Sequence, residues 1–303
     1  MNGRDHESAP HPTVARVPKC MIPAPAGSVP LTPSRSGGGV PRPVGDAEVQ
    51  KMAEYVSRKL PEVTGYRWNP GFFEGDAGMR VIFRKLDGGE KEHWLNTAAV
   101  MITSNPWDYP PYSNNCHAEL AIDVDRGRTV RIGTMYQYST QNEETGEKEW
   151  HPGSVFVAPI DEGEMKKYES WKLVGATRVS QLRAVCFALR NYGAPFHVSA
   201  YRLRAVAPRT HGVGYYDPVQ NDVSKTDPVG EWYFCTQFVV LCVQAAAYEL
   251  LRGGHAENTE QKSWMSIKGS HATEFTPNSL YKYIRSCYDV KLAFQPMAKL
   301  SLN

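Results

Sequence analysis

GEWYFCTQFVVLCVQAAAYELLR, residues 230–252, is the stretch that decides the fold. Its apolar residues recur at steps of three and four, the spacing of a helix that lays one face against a core. These positions are Phe238, Val239, Cys242, Val243, Ala246 and Leu250. Gly253 and Gly254 follow as a stop signal. The pattern predicts a largely buried helix that carries Cys235 in its first turn.

Cys235 stands where a helix favours a negative charge. The first N–H groups of a helix have no partner within it, and the positive end of the macrodipole lies there. Cysteines in such settings reach pKa values of roughly 3.5 to 7.5, so that the nucleophilic thiolate forms near neutral pH. Cys242, farther along the same helix, is interpreted as a small apolar core residue.

The composition is that of a globular protein with an ordinary core. The chain has 303 residues, of which 41% are hydrophobic and 22% charged. It contains no run of about 18 apolar residues that would predict a transmembrane segment, and its N-terminus lacks the apolar region of a signal peptide. We therefore expect a cytoplasmic or otherwise intracellular protein. A net charge of +2 with interspersed signs gives no strong nucleic-acid signal.

The six cysteines, at positions 20, 116, 186, 235, 242 and 287, show no close pairing such as CxxC. The spacing predicts reduced thiols, with neither a zinc ribbon nor a small disulfide framework. No cofactor or metal site is expected from the sequence.

Residues 1–45 differ in composition from the rest. They hold nine of the 22 prolines, without apolar periodicity or aromatic residues, which predicts a disordered Pro/Gly-rich tail. Residues 46–303 are predicted to form a single α+β domain.

Within that domain the periodicity predicts an antiparallel sheet packed against helices. The expected strands are 79–86, 92–104, a hairpin over 117–132, 154–160 and a closing strand at 290–294. The expected helices are 46–60, a weak one over 161–173, 179–190 and 278–286, beside the helix of Cys235. Long loops at 105–115 and 208–229 are the expected substrate-binding segments.

A thiolate nucleophile needs a base that can later protonate the leaving group, and His suits both tasks near neutral pH. Of the nine histidines, His117 and His197 are the candidates outside the tail, loops and mid-strand positions. His117 is preferred because it begins a strand of alternating pattern, whereas His197 follows a turn.

Four segments, in this order, resemble the circularly permuted NlpC/P60 group, the papain-like branch that includes the YiiX-like and lecithin retinol acyltransferase relatives. They are HAELAIDVD, LRAVCFALRNYGAPF, YFCTQFV and TPNSL. The resemblance covers about residues 95–295. It implies a permuted papain-like fold in which Cys235 attacks a carbonyl and His117 is the base. In that family a third polar residue orients the imidazole from the next strand, where Thr129 fits best; Glu119 stands where the family commonly has Gly.

The resulting prediction is a cysteine-dependent hydrolase or acyltransferase. It would act on an amide, ester or thioester bond of a peptide, isopeptide or lipid-ester substrate. The alternative is a non-catalytic papain-like scaffold that acts as a binding or structural protein, for example a viral or assembly component. A further alternative in classical order pairs Cys116 as nucleophile with His211 as base. The oligomeric state stays open.

Overall fold

The structure is a computed structural model, and it describes ten stretches of the chain. These are residues 46–69, 78–85, 115–141, 148–173, 175–196, 213–225, 230–252, 267, 270–289 and 294–296. The predicted tail (1–45), the predicted strand 92–104 and most of the loop 105–115 lie outside the described residues.

A six-stranded sheet forms the centre of the described fold. Its strands are β1 (Met79–Lys85), β2 (Asn115–Asp125), β3 (Arg128–Gln141), β4 (Lys148–Ile160), β5 (Tyr168–Leu173) and β6 (Phe294–Pro296). The order across the sheet is β4-β3-β2-β1-β5-β6, and every neighbouring pair is antiparallel. β2, which carries His117, is therefore an inner strand with a partner on each side.

Five α-helices accompany the sheet in the described part of the chain. They are α1 (Asp46–Thr64), α2 (Glu162–Met165), α3 (Arg178–Arg190), α4 (Cys235–Arg252) and α5 (Pro277–Asp289). α4 packs against α3 and also against β2 and β3, while α5 lies over β2 and β6. No helix among these residues is both long enough and apolar enough to cross a bilayer.

The two faces of the sheet are unequal. Side chains alternate along a strand, so Leu120 and Ile122 of β2 join the main core beneath the helices. Ala121 lies on the opposite face in a second, smaller cluster. Ile82, Ile160 and Tyr168 share that cluster, and Met165 of α2 packs against it. This smaller cluster matters for the site, because His117 and Glu119 follow the alternation of Ala121.

The α+β class and the antiparallel sheet packed against helices are confirmed. The hairpin over 117–132 is present as β2 and β3, joined at Gly127, which has a φ of 66° that glycine adopts without strain. The helix beginning at Cys235 is present over its whole predicted length.

The weak helix expected over 161–173 is wrong. Only Glu162–Met165 is helical, and Tyr168–Leu173 is strand β5 between β1 and β6. Tyr168 and Trp171 are three residues apart, a spacing that also fits a helix. Their burial against neighbouring strands outweighs this local pattern.

α3 is buried along nearly all of its length, from Ser180 to Arg190. Its two buried arginines reach neighbouring segments: the Arg183 guanidinium lies 2.8 Å from Glu48 of α1, and Arg190 donates to the Gln220 carbonyl at 2.7 Å. Each of the two buried guanidinium groups therefore has a polar partner, as a buried charge requires.

Two buried glutamines in this core differ in how their amides are satisfied. Gln181 of α3 is fully buried, and neither atom of its amide has a hydrogen-bond partner in the structure as described. Gln244 of α4 is also buried, but its oxygen accepts the Tyr216 N–H and its nitrogen donates to the carbonyls of Ile267 and Ser270. The two residues are therefore a matched pair.

We expect Gln181→Leu to raise the melting temperature by about 2–4 °C, because it removes a buried amide whose desolvation costs about 1 kcal/mol or more. Gln244→Leu should lower the melting temperature, since it leaves one N–H and two carbonyl groups without their partner. Thermal unfolding of both variants checks this. Destabilisation by Gln181→Leu as large as that by Gln244→Leu would contradict it.

Candidate active site

The first turn of α4 is built to hold Cys235 at its start. The Phe234 N–H donates to the Gln237 side-chain oxygen at 3.2 Å, and the Phe238 N–H donates to the Phe234 carbonyl at 3.0 Å. The Gln237 side chain thus caps the helix N-terminus from within the first turn, with Phe234 at the cap position. Cys235 is consequently the first helical residue.

Two long-range contacts fix this helix start in space. The Thr236 hydroxyl donates to the Phe275 carbonyl at 2.6 Å in the interior. Before the helix, the Tyr233 hydroxyl donates to Asn191 at the end of α3 at 2.7 Å. The residues on both sides of Cys235 are thus anchored to different elements.

The Thr-Pro-Asn-x-Leu segment positions β2. Thr276 and Ser279 cap α5 reciprocally, each backbone N–H donating to the other's hydroxyl at 2.7 Å. This places Asn278 so that its side-chain oxygen accepts the Asn115 N–H at 3.1 Å. Asn115 begins β2, two residues before His117, so the same segment of chain holds both the nucleophile's helix and the strand of the histidine.

The Cys235 thiol and the His117 ring are joined by a side-chain hydrogen bond. The N–H groups of Thr236 and Ala118 also donate to the sulfur. Burial alone would raise the pKa of Cys235, but the hydrogen bond and charge of His117, together with these two N–H groups, hold it below its ordinary value. These contacts therefore favour the thiolate form of Cys235.

Glu119 is the third member of a hydrogen-bonded row that begins with Cys235 and His117. Its carboxylate Oε1 lies 3.0 Å from His117 Nε2, and its side chain is almost fully buried. Burial raises the pKa of Glu119, yet the hydrogen bond and charge of His117 and the charge of Arg131 leave it below the usual value. Because Nε2 faces Glu119, Nδ1 is the ring nitrogen that remains for the thiol.

His117 is the residue of this row whose protonated form is favoured. Burial lowers its pKa, but the hydrogen bonds to Cys235 and Glu119 and their charges raise it to about 10. The lowered pKa of Cys235 and the raised pKa of His117 both favour the thiolate–imidazolium form of the pair. The imidazolium is lost only as the pH rises through the His117 pKa.

The structure thus brings Cys235 and His117 together, but it does not bring Thr129 to them. The Thr129 hydroxyl donates to Asp123 at 2.7 Å and lies 3.4 Å from an Arg80 nitrogen. Thr129 pairs with Asp123, six residues along β2 from His117, which is about 20 Å at the rise of a strand. Glu119, not Thr129, occupies the orienting position.

The resemblance to the permuted NlpC/P60 group implies Gly at position 119, so it gives Glu119 no role in orienting the imidazole. A signal was present in the sequence, since residues i and i+2 of a strand share one face. A carboxylate two residues after a candidate catalytic His is thereby a candidate partner for its ring. The partners of Glu119 on other strands required the register of the sheet.

Cys186 and Cys242 are unlike Cys235. Burial raises the pKa of Cys186 to about 12 and that of Cys242 well above its ordinary value. Cys116 is the extra residue where the register of β2 shifts against β1. His211, its partner in the classical-order alternative, lies outside the described residues.

Comparisons with family models, curated proteins and solved structures gave no match. The geometry of the site is therefore what any functional argument rests on. Within the ranges that the structure describes, no three His, Cys, Asp or Glu side chains are grouped to hold a metal ion.

We expect the rate of Cys235 alkylation by iodoacetamide to follow pH with a midpoint below that of glutathione, because His117 and the two N–H groups stabilise the thiolate. His117→Ala should move the midpoint upward, since it removes the largest stabilising partner. The rate is measured by peptide mass spectrometry between pH 4 and 10. A midpoint equal to that of glutathione would contradict the thiolate assignment, and Cys186 serves as the unreactive internal comparison.

Proposed function

We propose that this chain is a cysteine-dependent hydrolase or acyltransferase that acts on an amide, ester or thioester carbonyl. The observation that carries the proposal is the hydrogen-bonded row of Cys235, His117 and Glu119 at the start of α4. An activated nucleophile, a base within hydrogen-bond reach and a third group that orients the base are the recurring parts of covalent acyl transfer.

In the proposed reaction the Cys235 thiolate attacks the carbonyl carbon, and the π electrons of the carbonyl move to its oxygen. The first N–H groups of α4 stabilise that oxyanion. The His117 imidazolium then gives its proton to the leaving amine, alcohol or thiol as the bond to carbon breaks. A thioester on Cys235 and a neutral imidazole result.

In the second half the neutral His117 takes a proton from water, and the resulting hydroxide attacks the thioester. Cys235 leaves as thiolate, and the proton stays on His117, which restores the starting pair. If an amine or alcohol takes the place of water, the same steps transfer the acyl group to it. Glu119 holds the ring orientation through both halves and offsets the imidazolium charge.

The substrate class is proposed as a peptide, isopeptide or lipid ester. The order of His before Cys supports the resemblance to the permuted NlpC/P60 group, whose members act on such bonds. Peptide and lipid carbonyls need the same Cys–His chemistry, so the geometry of the pair is equally suited to each.

The burial of the sulfur favours the alternative of a non-catalytic scaffold. The Cys235 residue is 5% exposed, whereas the His117 side chain is 16% exposed. A buried ion pair can also serve to specify a fold rather than to react, and acyl transfer to Cys235 distinguishes the two roles.

We expect p-nitrophenyl acetate to acetylate Cys235 and the adduct to disappear as the thioester hydrolyses, because the thiolate attacks the ester and His117 activates water. His117→Ala should slow thioester hydrolysis by about 10² to 10⁴. The adduct is followed by intact mass and located by peptide mapping.

Cys235→Ser and Cys242→Ser form the matched pair of controls, since both thiols lie on α4 and only one is bonded to His117. Loss of the adduct in the first and its retention in the second is expected. Acetylation of Cys235 at the rate of a free thiol of equal pKa, with no subsequent hydrolysis, would favour the scaffold.

A further inference from the structure

Arg131 lies on the same face of the sheet as the Cys235–His117–Glu119 row. It is on β3, where it pairs with Ala121 of β2, and Glu119 is its diagonal neighbour within reach of a long side chain. One guanidinium nitrogen of Arg131 lies 3.9 Å from Glu119 Oε1 and donates to the Tyr168 hydroxyl at 3.2 Å. The Tyr168 hydroxyl in turn lies 3.4 Å from Glu119 Oε1.

Arg131 has a second acidic partner nearer the surface. The same nitrogen lies 3.0 Å from Glu164 Oε1 of α2. The Glu164 side chain is 34% exposed, while that of Glu119 is 1% exposed. Arg131 therefore links a buried carboxylate to one in contact with solvent.

The local backbone makes room for this arrangement. A Cβ on Gly133 would lie 3.1 Å from Glu119 Cγ and 3.3 Å from Phe156 Cζ. The Arg131 guanidinium lies 5.3 Å from the centre of the Phe156 ring, within the range of a cation–π contact. The glycine thus lets the carboxylate and the ring occupy adjacent space beside the guanidinium.

We propose that Arg131 is a positioning residue that acts through Glu119 to keep the Cys235–His117 pair charged. Glu164 of α2 weakens this effect from the surface, because it shares the charge of Arg131. The inference rests on the proposed role of Cys235 as the nucleophile. Arg131 does not need to touch the substrate, because its effect passes through the carboxylate behind the histidine.

The charge of Arg131 affects Cys235 through Glu119 and His117. A buried carboxylate without a neighbouring cation takes up a proton more readily, because burial disfavours its charged form. A protonated Glu119 would no longer offset the imidazolium of His117, so the pair would shift toward neutral thiol and imidazole. Arg131 opposes this shift, and its own pKa, which burial lowers, is raised by the charge of Glu119.

Several titratable or charged groups face this cluster from the surrounding elements. They are His117 and Glu119 of β2, Arg131 of β3, Tyr168 of β5, Glu164 of α2 and Arg84, which pairs with His117 from β1. Burial raises the pKa of Tyr168, so its hydroxyl stays neutral where Cys235 reactivity is measured. The acidic midpoint of Cys235 reactivity therefore reports on the charge balance around Glu119.

The test measures the pH midpoint of iodoacetamide alkylation at Cys235 in the full chain. Arg131→Met should raise the midpoint and slow alkylation about tenfold at pH 6, because a cation within about 4–6 Å of an acid shifts its pKa by one unit or more. Arg131→Lys should recover part of the loss, since it keeps the charge but not the planar contacts. Glu164→Gln should shift the midpoint in the opposite direction, because it leaves the guanidinium charge to Glu119.

Arg80→Met is the matched control. Arg80 is a similarly shielded arginine on this face of the sheet, where it pairs with Asp123 away from His117. It should lose stability to a similar small extent without moving the midpoint. Melting temperatures of all variants separate loss of fold from loss of charge.

The outcomes separate this inference from the proposed function. A wild-type midpoint as high as that of glutathione overturns the nucleophile itself. A low wild-type midpoint that neither Arg131→Met nor Glu164→Gln moves overturns the positioning role and leaves the nucleophile in place. Equal shifts in Arg131→Met and Arg80→Met also overturn it, because the effect would then be one of general stability.

Discussion

The hydrogen bond between the Cys235 thiol and the His117 ring is the interaction on which the candidate site depends. It joins the start of α4 to an inner strand of the sheet, and it does so away from water. Each ion taken from water costs several kcal/mol unless others compensate. Three sets of groups provide that compensation. They are the two N–H groups that donate to the sulfur, Glu119 beside the His117 ring, and Arg131 beside Glu119.

Such a row tolerates little displacement, because each charge is compensated only at short distance. This explains why polar contacts that fix backbone position surround it. Thr236 is tied to Phe275, and Asn115 is tied to Asn278. The short 3₁₀ turn at Ala272–Glu274 directly precedes the first tie, and the cap of α5 at Thr276 lies between the two. One segment therefore sets the separation of α4 and β2.

The sequence was sufficient where a local period controls structure. The three- and four-residue spacing after Cys235 and the alternation after His117 each correspond to an observed element. It was insufficient where contacts between strands decide. Tyr168–Leu173 became a strand because β1 and β6 pair with it, and Glu119 acquired its partners from β3, β5 and α2. Thr129 was chosen from its position along the chain, while the register of β2 against β3 placed it with Asp123.

The contact between Asn115 and Asn278 joins residues 163 apart in the chain. During synthesis, β2 emerges well before Asn278 exists, so its tie to that residue cannot form on the nascent protein at that stage. A helix start without its tertiary anchor frays readily. Both ties, and with them the placement of Cys235 beside His117, therefore require translation to have reached Asn278.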